Sequence, residues 1–281
     1  MMKIGYQGVP GSYSETALQE YKHAHKLQDV TAIGYSSFKA LIDEIEDGHL
    51  DLIVIPVENS TTGLIARTVD LLRYRSLVAI DENYQSIQHY LWGLEKSEIN
   101  TITEAYSHPE ALSQCDTFFA NHPHITAKAY EDTAKSAQFI AEEGSIHQAA
   151  LASKRAGELY GLKQLAASVQ TESMNTTRFY IMAPNEKVTL KGDILSLYIE
   201  TKHESGALAK LLQVFTLFDC NMESLNARPI AGKPFTYGFF MEVDVSKSTV
   251  PFELLWQTLE QVSEHLQVLG RFDSALTNKK G

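Results

Sequence analysis

Apolar residues follow two different patterns along the first 190 residues of the chain. The run 52–57, LIVIPV, is apolar throughout, which is typical of a strand covered on both faces in a parallel sheet. In the stretch before it, apolar residues recur at the spacing of one helix face: Phe38, Leu41, Ile42 and Ile45. Strand-like and helix-like segments keep alternating in this way, and the rhythm predicts an α/β sheet.

The middle of the chain continues the same rhythm. Residues 101–107 and 125–131 are predicted strands, and the helix predicted between them has Pro109 in its first turn. The alanine-rich stretch 148–161 is predicted to be a helix. The apolar strand RFYIMA, residues 178–183, follows.

A change of pattern after residue 183 predicts a second domain. Residues 184–193, PNEKVTLKGD, are polar and contain proline and glycine, so we interpret them as a linker. Beyond the linker, the predicted elements come in the order strand, helix, two strands, helix and strand. This βαββαβ order over residues 194–281 is the ferredoxin-like plan.

The composition limits the classes of partner and cofactor. The formal net charge of −11 disfavours nucleic acids and anionic membranes as partners, because both are bound through Lys and Arg. The longest wholly apolar run has six residues, far short of a membrane span. Neither Cys115 nor Cys220 belongs to a CxxC pair, so a disulfide framework and a thiolate metal site are unsupported, and the glycine spacing near residue 8 does not fit a dinucleotide motif. The start of the sequence lacks a signal-peptide pattern, which favours a cytoplasmic protein.

Three polar stretches border predicted strands and are the candidate functional segments. In the first, residues 5–17, Ser12 and Glu15 form a capping box at the start of a helix. Gly8 and Gly11, just before it, let the backbone approach a ligand. The free N–H groups at such a helix start favour an anion.

The second stretch follows a buried strand, whereas the third precedes one. The run ending at residue 57 leads into Asn59, Ser60 and Thr61, and residues 175–178, NTTR, stand before the strand RFYIMA. Ligands bind beyond the carboxyl ends of the strands in open α/β sheets, so the third stretch meets the others only if its strand is antiparallel. That arrangement predicts two lobes with a cleft between them.

Plainer interpretations of these residues stay open. Ser12 and Ser60 stand where side chains often only cap a helix. Arg178 could lie in a surface turn with a salt bridge, and His108 could simply introduce the helix after it. The three polar stretches together exceed what helix capping requires.

Four motifs, in chain order, strongly resemble prephenate dehydratase: GYQGVPGSYSETA, IPVENSTTG, SHPEALSQC and NTTRF. The C-terminal segments ESGALAKLLQVF, NMESLNARP and FTYGFF resemble the regulatory ACT domain of the same enzymes. The likeness covers nearly the whole chain. It implies a two-lobed catalytic domain like that of periplasmic binding proteins, followed by a ferredoxin-like ACT domain.

The resemblance also implies domain bounds and a reaction. The catalytic domain would be residues 1–183, with one lobe at about 1–82 and 172–183, the other at about 83–171, and the ACT domain at 194–281. A carbon–oxygen lyase of phenylalanine biosynthesis would convert prephenate into phenylpyruvate, carbon dioxide and water, without a cofactor. L-Phenylalanine would be the allosteric ligand, and the chain would form a homodimer or a homotetramer.

The resemblance assigns roles within the catalytic domain. Thr177 would stand at the leaving hydroxyl, in a network completed by Asn59, Ser60 and Thr61. Arg178 would grip the pyruvyl carboxylate through bidentate hydrogen bonds. The other expected substrate-binding residues are Asn175, Phe179, Ser12 and Gly11. The departing carboxylate should be held less tightly, because stabilising its charge opposes decarboxylation.

A second set of residues belongs to the ACT-like segment. The expected phenylalanine-binding residues are Gly206, Ala207, Leu208, Asn221 and Arg228. The first three open a helix whose backbone N–H groups could take a carboxylate. Asn226 and Ala227 stand where the family has Glu and Ser, a departure that bears on the response to phenylalanine.

Two other functions stay open at this point. An arogenate dehydratase would keep the fold and act on a substrate in which an amino group replaces the keto oxygen. A non-catalytic two-lobed binding module with an amino-acid sensor would use the same cleft without chemistry.

Overall fold

The computed structural model describes residues 1–172 and 174–275, which form two β-sheets flanked by helices. The N-terminal lobe contains the strands β1 (Met2–Gln7), β2 (Val30–Tyr35), β3 (Leu52–Asn59), β4 (Gly63–Leu64), β5 (Leu77–Ser86) and β11 (Thr176–Pro184). Its helices are α1 (Tyr13–Ala24), α2 (Phe38–Glu46) and α3 (Ala66–Leu72). The strand order is β2-β1-β3-β11-β5, and β4 pairs with the end of β3.

The direction of β11 decides where its polar start lies. β1 pairs with β2 and β3 in parallel, whereas β11 is antiparallel to both β3 and β5. In this register Thr177 is opposite Asn59. The start of β11 therefore meets the carboxyl end of β3, as the convergence of the polar stretches requires.

The second lobe is built on a separate five-stranded sheet. Its strands are β6 (Tyr90–Gly93), β7 (Glu104–Ser107), β8 (Thr126–Ala129), β9 (Gln148–Ala152) and β10 (Lys163–Ala166), in the order β10-β6-β9-β7-β8. Its helices are α4 (Pro109–Ser113), α5 (Asp116–Asn121), α6 (Thr133–Glu143) and α7 (Lys154–Leu159), with a short 3-10 helix at Ile99–Thr101. The chain enters this lobe after β5 and leaves it before β11.

The stretch 148–161 differs from its sequence prediction. It begins as strand β9 and becomes helical only after Ser153, whose hydroxyl caps α7. Alanine favours a helix by intrinsic propensity, but tertiary packing overrides propensity. β9 lies between β6 and β7, and the side chains of residues 149–152 are fully buried. The small side chains allow this strand to occupy the centre of the sheet.

The C-terminal segment has the βαββαβ order expected for a ferredoxin-like domain. Its elements are β12 (Ile194–Glu200), α8 (Ala207–Leu217), β13 (Asn221–Pro229), β14 (Tyr237–Asp244), α9 (Phe252–Val262) and β15 (His265–Phe272), after a 3-10 helix at Asn185–Lys187. The strand order is β13-β14-β12-β15, with every neighbouring pair antiparallel. The ferredoxin-like prediction is confirmed.

The C-terminal domain packs directly onto the N-terminal lobe. β15 pairs with β5 through Gly270 and Ala79, so one sheet runs through both. A Cβ atom on Gly270 would lie 2.7 Å from the Ala79 carbonyl oxygen, so this close approach requires glycine. Tyr198 and Phe240 of the C-terminal domain belong to the same apolar core as β3 and α2. Over the described residues, no helix combines the length and apolar content needed to cross a membrane.

Candidate active site

A cleft of about 490 Å³ lies between the two lobes. The N-terminal lobe contributes residues from the ends of β1 and β3, from the start of α1 and α3, and from β11. The second lobe contributes residues that include His89, His108, Glu110 and Gln114. The cleft is thus lined by the same three polar stretches that the sequence brings together, and by parts of the motif SHPEALSQC.

A chain of side-chain amides holds the Thr177 hydroxyl at this cleft. The Asn59 Nδ2 group donates to Thr177 Oγ1 at 3.0 Å and to Asn175 Oδ1 at 2.7 Å. Asn175 Nδ2 in turn donates to Gln114 Oε1 at 2.9 Å. Because Thr177 Oγ1 accepts from Asn59, the threonine hydroxyl can direct its own proton into the cleft.

The turn after β3 fixes the orientation of the Asn59 amide. The backbone N–H groups of Thr61 and Thr62 donate to Asn59 Oδ1 at 3.0 and 3.1 Å, and Thr61 Oγ1 donates to it at 2.6 Å. Oδ1 must therefore be the acceptor and Nδ2 the donor, which settles the direction of every bond in the amide chain. Thr61 supports Asn59 and does not itself line the cleft.

Ser60 also acts outside the cleft. Its backbone N–H donates to the Thr176 carbonyl at 2.8 Å, and its hydroxyl accepts from the Thr176 N–H at 2.9 Å. Ser60 thereby joins the end of β3 to the start of β11. Its hydroxyl does not line the cavity, in contrast to the role expected for it from the sequence.

Two of the expected substrate-binding residues, Gly11 and Ser12, lie next to each other before α1 but have different surroundings. Ser12 is the N-cap of α1 and lines the cleft. Gly11 does not: its N–H donates to Glu15 Oε2 at 2.7 Å, and its carbonyl accepts from Ser153 of the second lobe. A Cβ on Gly11 would lie 2.8 Å from Ala156 Cα. This corrects the expectation for Gly11, which is a contact between the lobes.

The structure also corrects the substrate-binding role expected for Arg178. Neighbouring residues of a strand point to opposite faces, so Thr177 and Phe179 line the cleft while Arg178 points away from it. Its guanidinium is held by Glu82 at 2.6 Å and by Glu242 at 2.6 and 2.9 Å. Burial by itself lowers the pKa of Arg178, but the surrounding Tyr180, Glu242 and Glu82 groups outweigh it and raise the pKa. The expected grip on a substrate carboxylate is therefore not available to this side chain.

Arg67 lies in the first turn of α3. Among the described residues, it is the only Arg or Lys that lines the cleft. Its guanidinium carbon lies 5.2 Å from the centre of the Phe38 ring, and none of the ion pairs between described residues involves it. The side chain is exposed, and its positive charge favours an anionic ligand in the cleft. The sequence motifs gave Arg67 no role.

His89 is a further cleft residue, and no sequence motif assigned it a role. It is 2 % exposed, and its Nε2 atom lies 3.0 Å from Gln114 Oε1. Gln114 Oε1 already faces the donor amide of Asn175, so it accepts from His89 Nε2–H, and Nδ1 is the unprotonated nitrogen. Burial lowers the pKa of His89, partly opposed by the bond to Gln114. The side chain is neutral at neutral pH, and Nδ1 has no partner among the residues described.

The residues expected to bind phenylalanine fall into two groups. Ala207 and Leu208 line a surface cavity of about 480 Å³ in the C-terminal domain, together with Phe235, Tyr237 and Phe239. Gly206, with φ at +81°, is the N-cap of α8 beside this cavity.

Two residues of the expected set lie elsewhere. The Asn221 side-chain amide donates to Glu223, and Arg228 pairs with Asp70 of α3 at 2.7 Å. Arg228 therefore belongs to the contact between the C-terminal domain and the N-terminal lobe. Neither residue lines the cavity at the start of α8.

Two sequence comparisons match this chain to known proteins. Residues 4–187 match the family model described as prephenate dehydratase. The bifunctional chorismate mutase/prephenate dehydratase of Escherichia coli K12 is 30% identical over 275 residues, which cover 97% of this chain and 71% of that protein. Arogenate dehydratase 1 of Petunia hybrida is 31% identical over 292 residues, covering 98% of this chain and 68% of that protein.

Two solved structures have the same fold over nearly the whole chain. GqqA, described as a novel type of quorum quenching acylase, superposes with a TM-score of 0.84 at 28% identity, covering 98% of this chain and 99% of its own. The prephenate dehydratase of Arthrobacter aurescens in complex with L-Phe also superposes with a TM-score of 0.84, at 23% identity, covering 98% of this chain and 90% of its own.

Proposed function

Because the chain belongs to the prephenate dehydratase family, we propose that its cleft converts prephenate into phenylpyruvate, carbon dioxide and water. This reaction makes the protein a carbon–oxygen lyase of phenylalanine biosynthesis. The observation that supports it most directly is the Thr177 hydroxyl, which accepts a hydrogen bond from Asn59 and so can donate its own hydrogen into the cleft.

The proposed chemistry is concerted with aromatisation of the ring. The bond to the ring carboxylate breaks and carbon dioxide leaves, the electron pair of that bond enters the ring, and the hydroxyl on the opposite carbon departs as hydroxide, which takes a proton from solvent to become water. Hydroxide is a poor leaving group, so a donor must meet that oxygen as the bond breaks. Thr177 supplies this hydrogen bond. A positioned donor of this kind typically contributes about 10²- to 10⁴-fold to the rate.

The two substrate carboxylates need different surroundings. Arg67 binds the pyruvyl carboxylate, which stays with the product, through charge-assisted hydrogen bonds. The departing carboxylate faces the apolar wall that includes Phe179 and Ile87. An apolar wall stabilises charge weakly, which favours loss of carbon dioxide.

The test of this function is a direct assay on purified protein. Incubation with prephenate should yield phenylpyruvate, which is measured by its absorbance. The rate should be well above the rate at which arogenate is consumed. A preference for arogenate would move the assignment to arogenate dehydratase, the name of the Petunia relative. Turnover of an acylase substrate with neither prephenate nor arogenate consumed would contradict the proposal.

We further propose that L-phenylalanine regulates the protein by binding the cavity at the start of α8. The free N–H groups of that helix start suit a carboxylate, and Phe235 and Phe239 offer apolar contacts for a phenyl ring. The Arthrobacter protein is described in complex with L-Phe. Millimolar phenylalanine should lower activity, and a flat titration would contradict this part.

The protein is proposed to work as a homodimer or a homotetramer. Leu217 and Leu225 of the C-terminal domain are 77% and 41% exposed, which suits a surface covered by another subunit. Light scattering on the purified protein should give two or four times the mass of one chain, and a monomer would contradict the proposal.

A further inference from the structure

A buried ionic cluster of Arg178, Glu82 and Glu242 joins the strand of Thr177 to the C-terminal domain. The three residues are 9%, 5% and 7% exposed. Arg178 Nε donates to Glu82 at 2.6 Å, and its two Nη groups donate to the two oxygens of Glu242 at 2.6 and 2.9 Å. Glu82 belongs to β5 of the N-terminal lobe, whereas Glu242 belongs to β14 of the C-terminal domain.

The cluster fixes the Arg178 side chain from several directions. Tyr180 donates to Glu242, and Tyr84 donates to Glu82 at 3.2 Å. The Ala275 N–H donates to the other Glu82 oxygen at 2.8 Å. Removing one partner of a buried ion pair leaves an uncompensated charge, so each member resists displacement. The position of Arg178 therefore depends on where the C-terminal domain places Glu242.

Arg178 is next to Thr177 in the chain, and its position affects the cleft. Its backbone pairs with Glu58, the residue before Asn59, and with Tyr84. The hydrogen bond between Asn59 and Thr177 lies one residue further along the same two strands. A displacement of the guanidinium would shift this end of β11 relative to β3.

The other end of the connection lies at the cavity beside α8. β14 carries Tyr237 and Phe239, which line that cavity on one face of the strand, and Glu242, which lies on the opposite face. A void of about 30 Å³ beside the cluster gives the Glu242 carboxylate room to shift. One strand thus contacts both the surface cavity and the Arg178 side chain.

We propose that Glu242 is a positioning residue for Thr177, and that a ligand in the C-terminal cavity changes the cleft by moving Glu242 and Arg178. The proposal rests on the function proposed for Thr177 and on phenylalanine as the ligand. It assigns to one carboxylate of the C-terminal domain the coupling between the two sites.

Glu242→Gln tests the proposal, because glutamine has nearly the same shape and lacks the charge. The first readout is amide hydrogen exchange of residues 175–179 in the full chain without ligand, which does not depend on activity. We expect exchange about tenfold faster there in Glu242→Gln, with β1 unchanged. Unchanged exchange at residues 175–179 would overturn the proposal. Glu242→Asp retains the charge, so its exchange rate at residues 175–179 should lie between those of the wild-type protein and Glu242→Gln. This variant is used if the glutamine variant fails to fold.

The control is Gln267→Ala, which removes another contact between the same two domains. Gln267 Nε2 donates to the carbonyls of Leu72 and Arg75, and none of its hydrogen bonds reaches β11. We expect this variant to keep wild-type exchange at residues 175–179. Equal acceleration in both variants would mean that Glu242 only helps to dock the domain, and would overturn the positioning role.

The second readout is kinetic. With prephenate, Glu242→Gln should lower kcat with KM changed less than about twofold. It should also bind phenylalanine with a Kd near the wild-type value by calorimetry, while the effect of phenylalanine on activity shrinks to less than about twofold. A variant that binds phenylalanine and keeps the full effect would refute the coupling. Faster exchange in a protein without dehydratase activity would instead refute the proposed function and leave the structural link standing.

Discussion

At the scale of single residues, the Asn59 amide sets the chemistry of the cleft. Backbone N–H groups determine which end of the amide accepts, and the other end then donates to Thr177 and Asn175. The threonine hydroxyl is thereby left able to donate a hydrogen bond into the cleft. A cleft with this polarity suits an oxygen that gains negative charge as it leaves.

The first prediction concerns Arg67. Arg67→Met should raise KM for prephenate about 10- to 100-fold with a smaller effect on kcat, because each charge-assisted hydrogen bond to a carboxylate contributes about 1.5–3 kcal/mol. Steady-state kinetics on prephenate measures this. Arg75→Met is the matched control, because Arg75 pairs with Glu46 outside the cleft. An Arg67 variant with a normal KM would show that this residue does not bind the substrate.

The second prediction concerns His89 and pH. Burial depresses its folded-state pKa below the ordinary histidine value of 6.5. Between that value and the lower folded pKa, the unfolded chain binds a proton that the folded chain does not. The free energy of unfolding should therefore fall as pH drops below about 6.5, by up to about 1.4 kcal/mol per pH unit from this group.

His89→Gln tests this, because its amide nitrogen can replace Nε2 as the donor to Gln114. Denaturant unfolding at several pH values between about 5 and 7 should show a shallower fall in stability for the variant. The same slope in both proteins would mean that His89 titrates alike in the folded and unfolded states.

The site could be predicted from the sequence only in part. The meeting of Thr177 with Asn59 follows from two polar stretches at strand ends, once β11 is antiparallel. Arg178 was assigned from a motif, although the alternation of side chains along a strand already prevents it from sharing a face with Thr177. Arg67 belongs to no motif, and only the structure places it at the cleft.

At the scale of elements, the turn between β1 and α1 holds the lobes together. Gly11 has φ at +92° and packs against Ala156 of α7. In the first turn of α1, Glu15 forms a bidentate ion pair with Arg155 of α7 at 2.7 and 2.9 Å. The start of α1 thus positions Ser12 in the cleft and fixes the spacing of the two lobes.

The third prediction is that Gly11→Ala destabilises the protein and weakens substrate binding. The new Cβ would lie 2.8 Å from Ala156 Cα, in addition to the strain of a positive φ, which costs about 1–3 kcal/mol. Gly48→Ala is the control, since Gly48 has φ at +77° but a Cβ there would meet no described atom within 4 Å. We expect Gly48→Ala to lose stability with KM unchanged. Equal effects of both variants on KM would contradict the contact between the lobes.

The element that the sequence predicted wrongly, residues 148–161, shows the limit of local patterns. Four small or apolar residues in a row fit a helix as well as a buried strand. Contacts with strands distant in the chain favour the strand over the helix, because β6 and β7 pair with β9 on either side. By contrast, α2 has a clear helical period and β3 is a long continuous apolar run, and both match the prediction.

At the scale of the whole molecule, the C-terminal domain is part of the structure that supports the cleft. It continues the sheet of the N-terminal lobe through Gly270 and Ala79, shares that lobe's apolar core, and holds Arg178 next to Thr177. The sequence predicted both folds but not their docking, because a single strand contact and a shared apolar face have no local signature. A ligand bound beside the start of β14 can affect the cleft through these contacts.

The measurement that tests the central claim most directly is the turnover of prephenate by Thr177→Ala and Thr177→Ser. If the threonine hydroxyl donates to the leaving oxygen, alanine should lower kcat by about 10²-fold or more with KM little changed, and serine should retain much of the rate. Alanine and serine variants with the same kcat as the wild-type protein would contradict the account.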